Sequence, residues 1–158
     1  MQLNNGLFLS VPPVILTLPI KKDSDYLDVK DRFLADSWSK EKIKMLNQIK
    51  AAYRKAPYYD RVFPIISSIF ELPNTNLFEF ILGSLHLLNS YLRVDTKITV
   101  SSDVNIDHTL KSRDKVIAIC KELNADTYIN AIGGQELYDV QDFQNEDLDL
   151  MFIKSPPL

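Results

Sequence analysis

From Ile43 to Tyr53, apolar side chains recur at helical spacing (Ile43, Leu46, Ile49, Tyr53), the period of a helix with one buried stripe. Ser37 or Ser39 stands where a cap is needed, and Pro57 marks the stop by pushing Ala56 out of helical geometry. The opposite face carries Lys40, Lys42, Lys44, Lys50, Arg54 and Lys55. A second helix is expected over Arg61 to Leu72, with Pro64 tolerable only in its first turn. Past the turn Pro73-Asn74-Thr75, Asn76 is placed to cap a third helix, Leu77 to Leu92, with Glu79 returning the bond of a capping box. That helix is apolar on much of its circumference, so it is expected to be sandwiched in the interior.

Strand signals lie on both sides of this helical block. Val14 to Leu18 reads as a short strand between Pro12-Pro13 and Pro19, and Lys97 to Val100 as a β-branched one. The intervening stretch from Lys21 to Asp36 is too irregular to assign. Ser112 is placed to cap a helix running to Leu123, whose buried stripe is Val116, Ile117, Ile119, Cys120 and Leu123. Asn124 suits the left-handed residue after that helix. Strands at Thr127 to Asn130 and Leu148 to Ile153 then enclose a short helix containing Val140 and Phe143. This alternation predicts an α/β fold of three layers, a mainly parallel sheet with helices on both faces, preceded by a helical segment. No internal repeat interrupts it, so residues 1–158 read as one domain.

Composition narrows the function classes. The 158 residues are 46 % apolar and 25 % charged, enough to build a core and too apolar for wholesale disorder. A net charge of −3 gives no global pull toward nucleic acid or anionic membrane. One cysteine excludes an intramolecular disulfide and fits a reducing, cytoplasmic setting. With two histidines beside it, no metal site is implied. No apolar stretch approaches the roughly 20 residues of a membrane span.

The candidate chemistry gathers at the carboxyl ends of the expected strands, where open parallel sheets bind ligands. Ser101 and Ser102 follow one strand, and Asn130, Gly133, Gly134 and Tyr138 follow the next. The glycine pair has two readings of similar weight, close approach of backbone to a phosphate or sugar, or a tight turn with positive φ. The serines could bind a ligand hydroxyl or phosphate, or merely end the strand; His108, seven residues of loop away, is weak support for a Ser–His pair. Arg113 and Lys115 begin a helix, where its dipole disfavours cations, which is compatible with a bound anion. Tyr53, Arg54, Lys55, Tyr58, Tyr59 and Arg61 mix rings and cations in a way that suits stacking and phosphate pairing, or else the tyrosines pack between helices. Cys120 reads as an inert core residue.

The run from Ser112 to Asn130, then Gly133-Gly134 and Tyr138, resembles the WbqC-like family, a bacterial family tied to surface-polysaccharide biosynthesis. Leu16 to Ile20, the Trp38 to Tyr53 helix, Ala56-Pro57-Tyr58-Tyr59 and Ser101-Ser102 extend the likeness from about Leu16 to Ile153. Members usually open with a Met-Gln-Pro-Tyr strand, whereas here Met1-Gln2 leads into Leu3-Asn4-Asn5, and the tail stops at Pro156-Pro157-Leu158. The resemblance therefore implies a chain truncated at both ends, with an exposed edge that favours homo-oligomers. It also implies a role in O-antigen biosynthesis, as an acyl or aminoacyl (glycine-type) transferase on a sugar precursor or as a non-catalytic subunit or inactive fragment. The expected ligand is a small molecule or nucleotide sugar held by Ser101, Ser102, Arg113, Asn130, Gly133, Gly134 and Tyr138. Neither cofactor, nucleic acid nor membrane insertion is expected.

Overall fold

The structure, a computed structural model, describes residues 15–155. The chain divides into two units, Met1–Asp95 and Thr96–Leu158. The first is helical, with α1 (Trp38–Tyr53), α2 (Tyr59–Phe70) and α3 (Leu77–Leu92). The second combines helices and strands: α4 (Ser112–Glu122), β1 (Thr127–Ala131), α5 (Val140–Gln144) and β2 (Asp149–Ile153). Among the described residues, no helix is long and apolar enough to cross a membrane.

In the first unit one indole joins three helices. Trp38, the first residue of α1, packs against Phe70 of α2 at 5.5 Å between ring centroids and edge-on against Phe80 of α3 at 5.6 Å. Leu34, Met45 and Leu77 complete this core. Leu34 is 1 % exposed although it comes from the stretch whose pattern is unreadable. Its burial follows from backbone pairing on both sides. Ala35 N–H donates to the Pro19 carbonyl at 2.8 Å on one side, and Leu34 N–H to the Thr75 carbonyl at 2.8 Å on the other.

Several expectations change here. Val14 lies outside the described residues, and Ile15 to Leu18 form no strand; pairing comes instead as a single antiparallel bridge, Ile20 to Leu34. Proline 19 cannot donate to a ladder, yet its carbonyl accepts, so contact begins only there. The buried stripe of α1 is rotated from the expected one. Ile43 and Tyr53 are 58 % and 57 % exposed, while Met45 is buried and Lys42 lies inward, its ammonium 2.7 Å from Glu71. The large Trp38 sets that rotation, because burying the indole turns Met45 inward and Ile43 out. Helix α2 starts two residues before Arg61, so Pro64 sits in its second turn and leaves the Asp60 carbonyl without a helical donor. Helix α3 buries only Leu77 and Phe80; Ile81, Leu85, Leu88 and Leu92 form an exposed stripe, so the sandwiched position is not realised.

Capping follows local chemistry more closely. Asn76 Oδ1 accepts from the Glu79 N–H at 3.1 Å, as the sequence predicts. The return bond is absent because Asn74 Oδ1 already takes the Asn76 N–H at 2.9 Å. Asn124 adopts φ 53° at the end of α4, and the Ala125 N–H reaches back to the Cys120 carbonyl at 2.9 Å.

The second unit corrects the expected layering. Among the described residues the sheet has two strands, β1 and β2, parallel from Thr127 opposite Asp149 to Ala131 opposite Ile153. Lys97 to Val100 pairs with nothing and runs into a 3-10 turn, Ser101–Asp103, because β-branched residues alone do not supply a ladder partner. One face of the sheet carries Tyr128 and Leu150 into a core with Cys120, Phe143 and Leu148. The other face presents Ile129, Met151 and Ile153, all more than half exposed. Helices therefore cover one face and not two.

Candidate functional site

Within the second unit, an open cleft of about 700 Å³ lies between the start of α4 and the segment from Gln135 to Asp142. Lys111, Ser112, Arg113 and Asp114 come from the start of α4, Gln135, Glu136, Tyr138, Asp139 and Asp142 from the later segment, and Phe152 of β2 joins them in the lining. The local sequence explains both walls. Asp139 caps the short α5 by accepting from the Gln141 N–H at 2.9 Å, which turns the chain at the rim. Ser112 makes no capping bond at α4, contrary to expectation; Lys111 occupies the cap position and Ser112 follows with φ 46°. A non-glycine residue in that region carries backbone strain of roughly 1 kcal/mol or more.

Arg113 is the organising cation. Its Nε donates to Asp114 Oδ1 at 2.9 Å, and its Nη1 donates to Asp142 Oδ2 at 2.5 Å, tying α4 to α5. Those two carboxylates hold the guanidinium pKa above its ordinary value, so it stays charged at every accessible pH. Its charge is already answered within the protein. The lining as a whole has two cations against four carboxylates. Such a surface disfavours a phosphate and suits a ligand rich in hydroxyl groups, which carboxylates and the Gln135 amide can accept from and donate to.

Beneath the cleft the support is aromatic. Tyr138 meets Tyr128 at 5.8 Å and Phe143 at 5.6 Å, both edge-on, while Tyr128 stacks on Phe143 at 5.6 Å. Burial first, and then the hydrogen bond to the Tyr138 hydroxyl, push the Tyr128 pKa up to about 12. Cys120 lies in this core with its thiol pushed up by burial, which suppresses the reactive thiolate. Among the described residues no group of three or more His, Cys, Asp or Glu side chains is placed to hold a metal ion.

Of the residues singled out from sequence, Arg113 and Tyr138 line the cleft together. The other five do not. Ser101 and Ser102 sit in the exposed 3-10 turn, where Ser102 Oγ is 3.4 Å from Asp103 Oδ1, and no described hydrogen bond joins either to His108. Asn130, Gly133 and Gly134 lie at the end of β1 and in the 3-10 turn Ile132–Leu137. The pair does stand in a turn, but neither glycine has positive φ, so that part of the tight-turn reading is corrected. The neighbour at Gly134 is a side chain: an added Cβ would stand 2.6 Å from Asn130 Nδ2, so the amide would have to turn aside. Gly133 faces open space. Asn130 is itself engaged, its Oδ1 accepting from the Ala131 N–H at 2.8 Å.

Sequence reasoning missed Asp114, Gln135, Glu136, Asp142 and Phe152. Asp142 stands 29 residues from the arginine it pairs with, and no spacing rule links the two. Gln135 and Glu136 follow directly on the glycine pair and were legible as polar groups at a strand end.

The profile of the WbqC-like protein family matches residues 9–157. No curated protein and no solved structure matches the chain.

Proposed function

Since the chain belongs to the WbqC-like protein family, we propose that it binds a saccharide precursor of a bacterial surface polysaccharide, such as O-antigen, in the cleft of its second unit, and that it supports acyl or aminoacyl transfer onto that sugar in the cytoplasm. The observation that carries this reading is the lining: an arginine held by two carboxylates, a glutamine, a Glu136 with no ion pair among the described residues, and the rings of Tyr138 and Phe152. Sugars are recognised by that combination, in-plane carboxylate and guanidinium groups for the hydroxyls and rings for the C–H face. Arg113 would act as a positioning residue by fixing the rotamers of Asp114 and Asp142. Glu136 is the carboxylate available to accept a proton from an attacking sugar hydroxyl.

One observation favours a second reading, a non-catalytic binding subunit. Neither histidine nor the cysteine lines the cleft, so no imidazole stands there to activate Ser112 as a nucleophile. The two readings part on turnover. Calorimetry of the full chain with neutral mono- and oligosaccharides should give saturable binding, and Arg113→Met should weaken it about tenfold by freeing both carboxylates. Product formation from a sugar acceptor and an acyl donor, lost in Glu136→Gln with binding retained, supports transfer; binding with no product supports the second reading. Absence of saccharide binding would remove both.

A further inference from the structure

The elbow between α1 and α2, in the first unit, was left unused by the cleft. Lys50, Arg54, Lys55 and Arg61 lie within twelve residues there, with Asp60 as the sole acid among them, in a chain whose net charge is −3. Among the described residues none of these four cations takes part in an ion pair, whereas Lys42 and Lys44 of the same helix α1 each do. Three tyrosines stand in the same stretch: Tyr53 at 57 % and Tyr58 at 67 % exposure face outward, while Tyr59 is partly buried and stacks on Phe63 of its own helix with ring centroids 4.9 Å apart. For Tyr53 and Tyr58 the alternative of packing between helices is not realised, whereas Tyr59 packs along α2.

Backbone bonds hold the elbow in one shape. Arg54 N–H donates to the Lys50 carbonyl at 3.0 Å, Ala56 N–H to Tyr53 at 2.8 Å, Tyr59 N–H to Ala56 at 3.1 Å, and Arg61 N–H to Tyr58 at 3.1 Å. Cations at the end of α1 offset its dipole, which accounts for Lys50 and Arg54. Arg61 is in the first turn of α2, where the same effect opposes it. Dipole compensation thus leaves Arg61 and both exposed rings unexplained.

We propose that this elbow is a binding site for a nucleoside diphosphate. Tyr53 and Tyr58 offer faces for the base, and Arg54, Arg61 and the flanking lysines pair with the two phosphates. A guanidinium fork matches phosphate oxygens in two parallel hydrogen bonds, and ring stacking adds affinity without requiring a particular base. The site stands apart from the saccharide reading of the cleft, and each can fail alone.

The test is calorimetric titration of the full chain with ADP, GDP, UDP and inorganic pyrophosphate, beside a single-stranded oligonucleotide. Saturable binding of at least one diphosphate is expected, at least several-fold tighter than pyrophosphate. Arg54→Ala with Arg61→Ala should weaken it roughly tenfold or more. Tyr53→Ala with Tyr58→Ala should weaken the nucleotides roughly tenfold and leave pyrophosphate unchanged. Lys40→Ala, an exposed cation of α1 outside the elbow, should change nothing. All of these positions are exposed, and unchanged thermal melts would confirm that each variant folds. The proposal is overturned by no saturable binding, by pyrophosphate binding as tightly as every nucleotide, or by indifference to the elbow variants. Oligonucleotide binding that tightens with length and exceeds every diphosphate overturns it in favour of a nucleic-acid surface.

Discussion

The cleft of the second unit and the elbow of the first use similar residues to opposite effect. Both contain arginine and tyrosine. In the cleft, Arg113 spends its hydrogen bonds on Asp114 and Asp142, and Tyr138 is packed against Tyr128 and Phe143. In the elbow, Arg54 and Arg61 have no described ion pair and Tyr53 and Tyr58 face outward. Residue type alone therefore does not say what a site binds; the partners already satisfied within the protein do. An arginine held by carboxylates orients them toward neutral polar ligands, whereas an unpaired one attracts anions. The two regions also differ in foundation, one resting on a buried aromatic core and the other on a hydrogen-bonded turn.

That difference in foundation orders the expected effects. Phe143 is fully buried, so Phe143→Ala should cost about 3–5 kcal/mol in the second unit, on the scale of large-to-small core changes. Saccharide binding should disappear with it, measured by chemical denaturation and by titration; retained binding would break the link between core and cleft. Gly134→Ala comes next, at about 1 kcal/mol, because the added methyl group makes the Asn130 amide turn aside. Gly133→Ala, in open space, should be near neutral, and adding Asn130→Ala should recover part of the Gly134→Ala loss.

A smaller effect tests the tyrosine pair by pH. Tyr128 has its pKa raised to about 12 in the folded chain, above the ordinary value of 10.0. The unfolded chain therefore loses that proton first as pH rises. The contribution is fully present below about pH 10 and is lost progressively toward pH 12. Tyr128→Phe should flatten that part of the stability profile relative to the parent, read by denaturation at several alkaline pH values. An unchanged slope would show that the hydroxyl is not held in its neutral form. The smallest effects belong to the elbow: Arg54→Ala and Tyr58→Ala should each leave stability within about 0.5 kcal/mol, as exposed substitutions do. A larger loss on melting would mean that the elbow is structural, and the contrast with the cleft would fade.

Much of what was legible in the sequence is short-range. The ends of α3 and α4 follow from Asn76 and Asn124, whose bonds close within five residues. The strands at Thr127 and Asp149 and the short α5 between them follow from β-branched and aromatic runs broken by polar turns. Arg113 was legible as a cation in the first turn of a helix and Tyr138 as a polar group past a strand end, and the family resemblance rests on the same stretch. The strand expected at Lys97 to Val100 fails for a complementary reason, since a strand exists only with a partner and no local pattern supplies one.

By itself, then, the sequence determined the start of α3 at Asn76, the end of α4 at Asn124, the position of the two paired strands and the family, because each depends on neighbours a few residues apart. Tertiary structure decided which side of α1 is buried, since the answer hangs on where Trp38 meets Phe70 and Phe80. It decided that Gly134 faces the Asn130 amide and that neither glycine of the pair stands in a left-handed turn. It decided also that Arg113 pairs with a carboxylate 29 residues away while, among the described residues, the elbow cations pair with none. Packing brings distant groups within the few ångströms over which hydrogen bonds and ion pairs act, and that distance is written nowhere in the local order of residues.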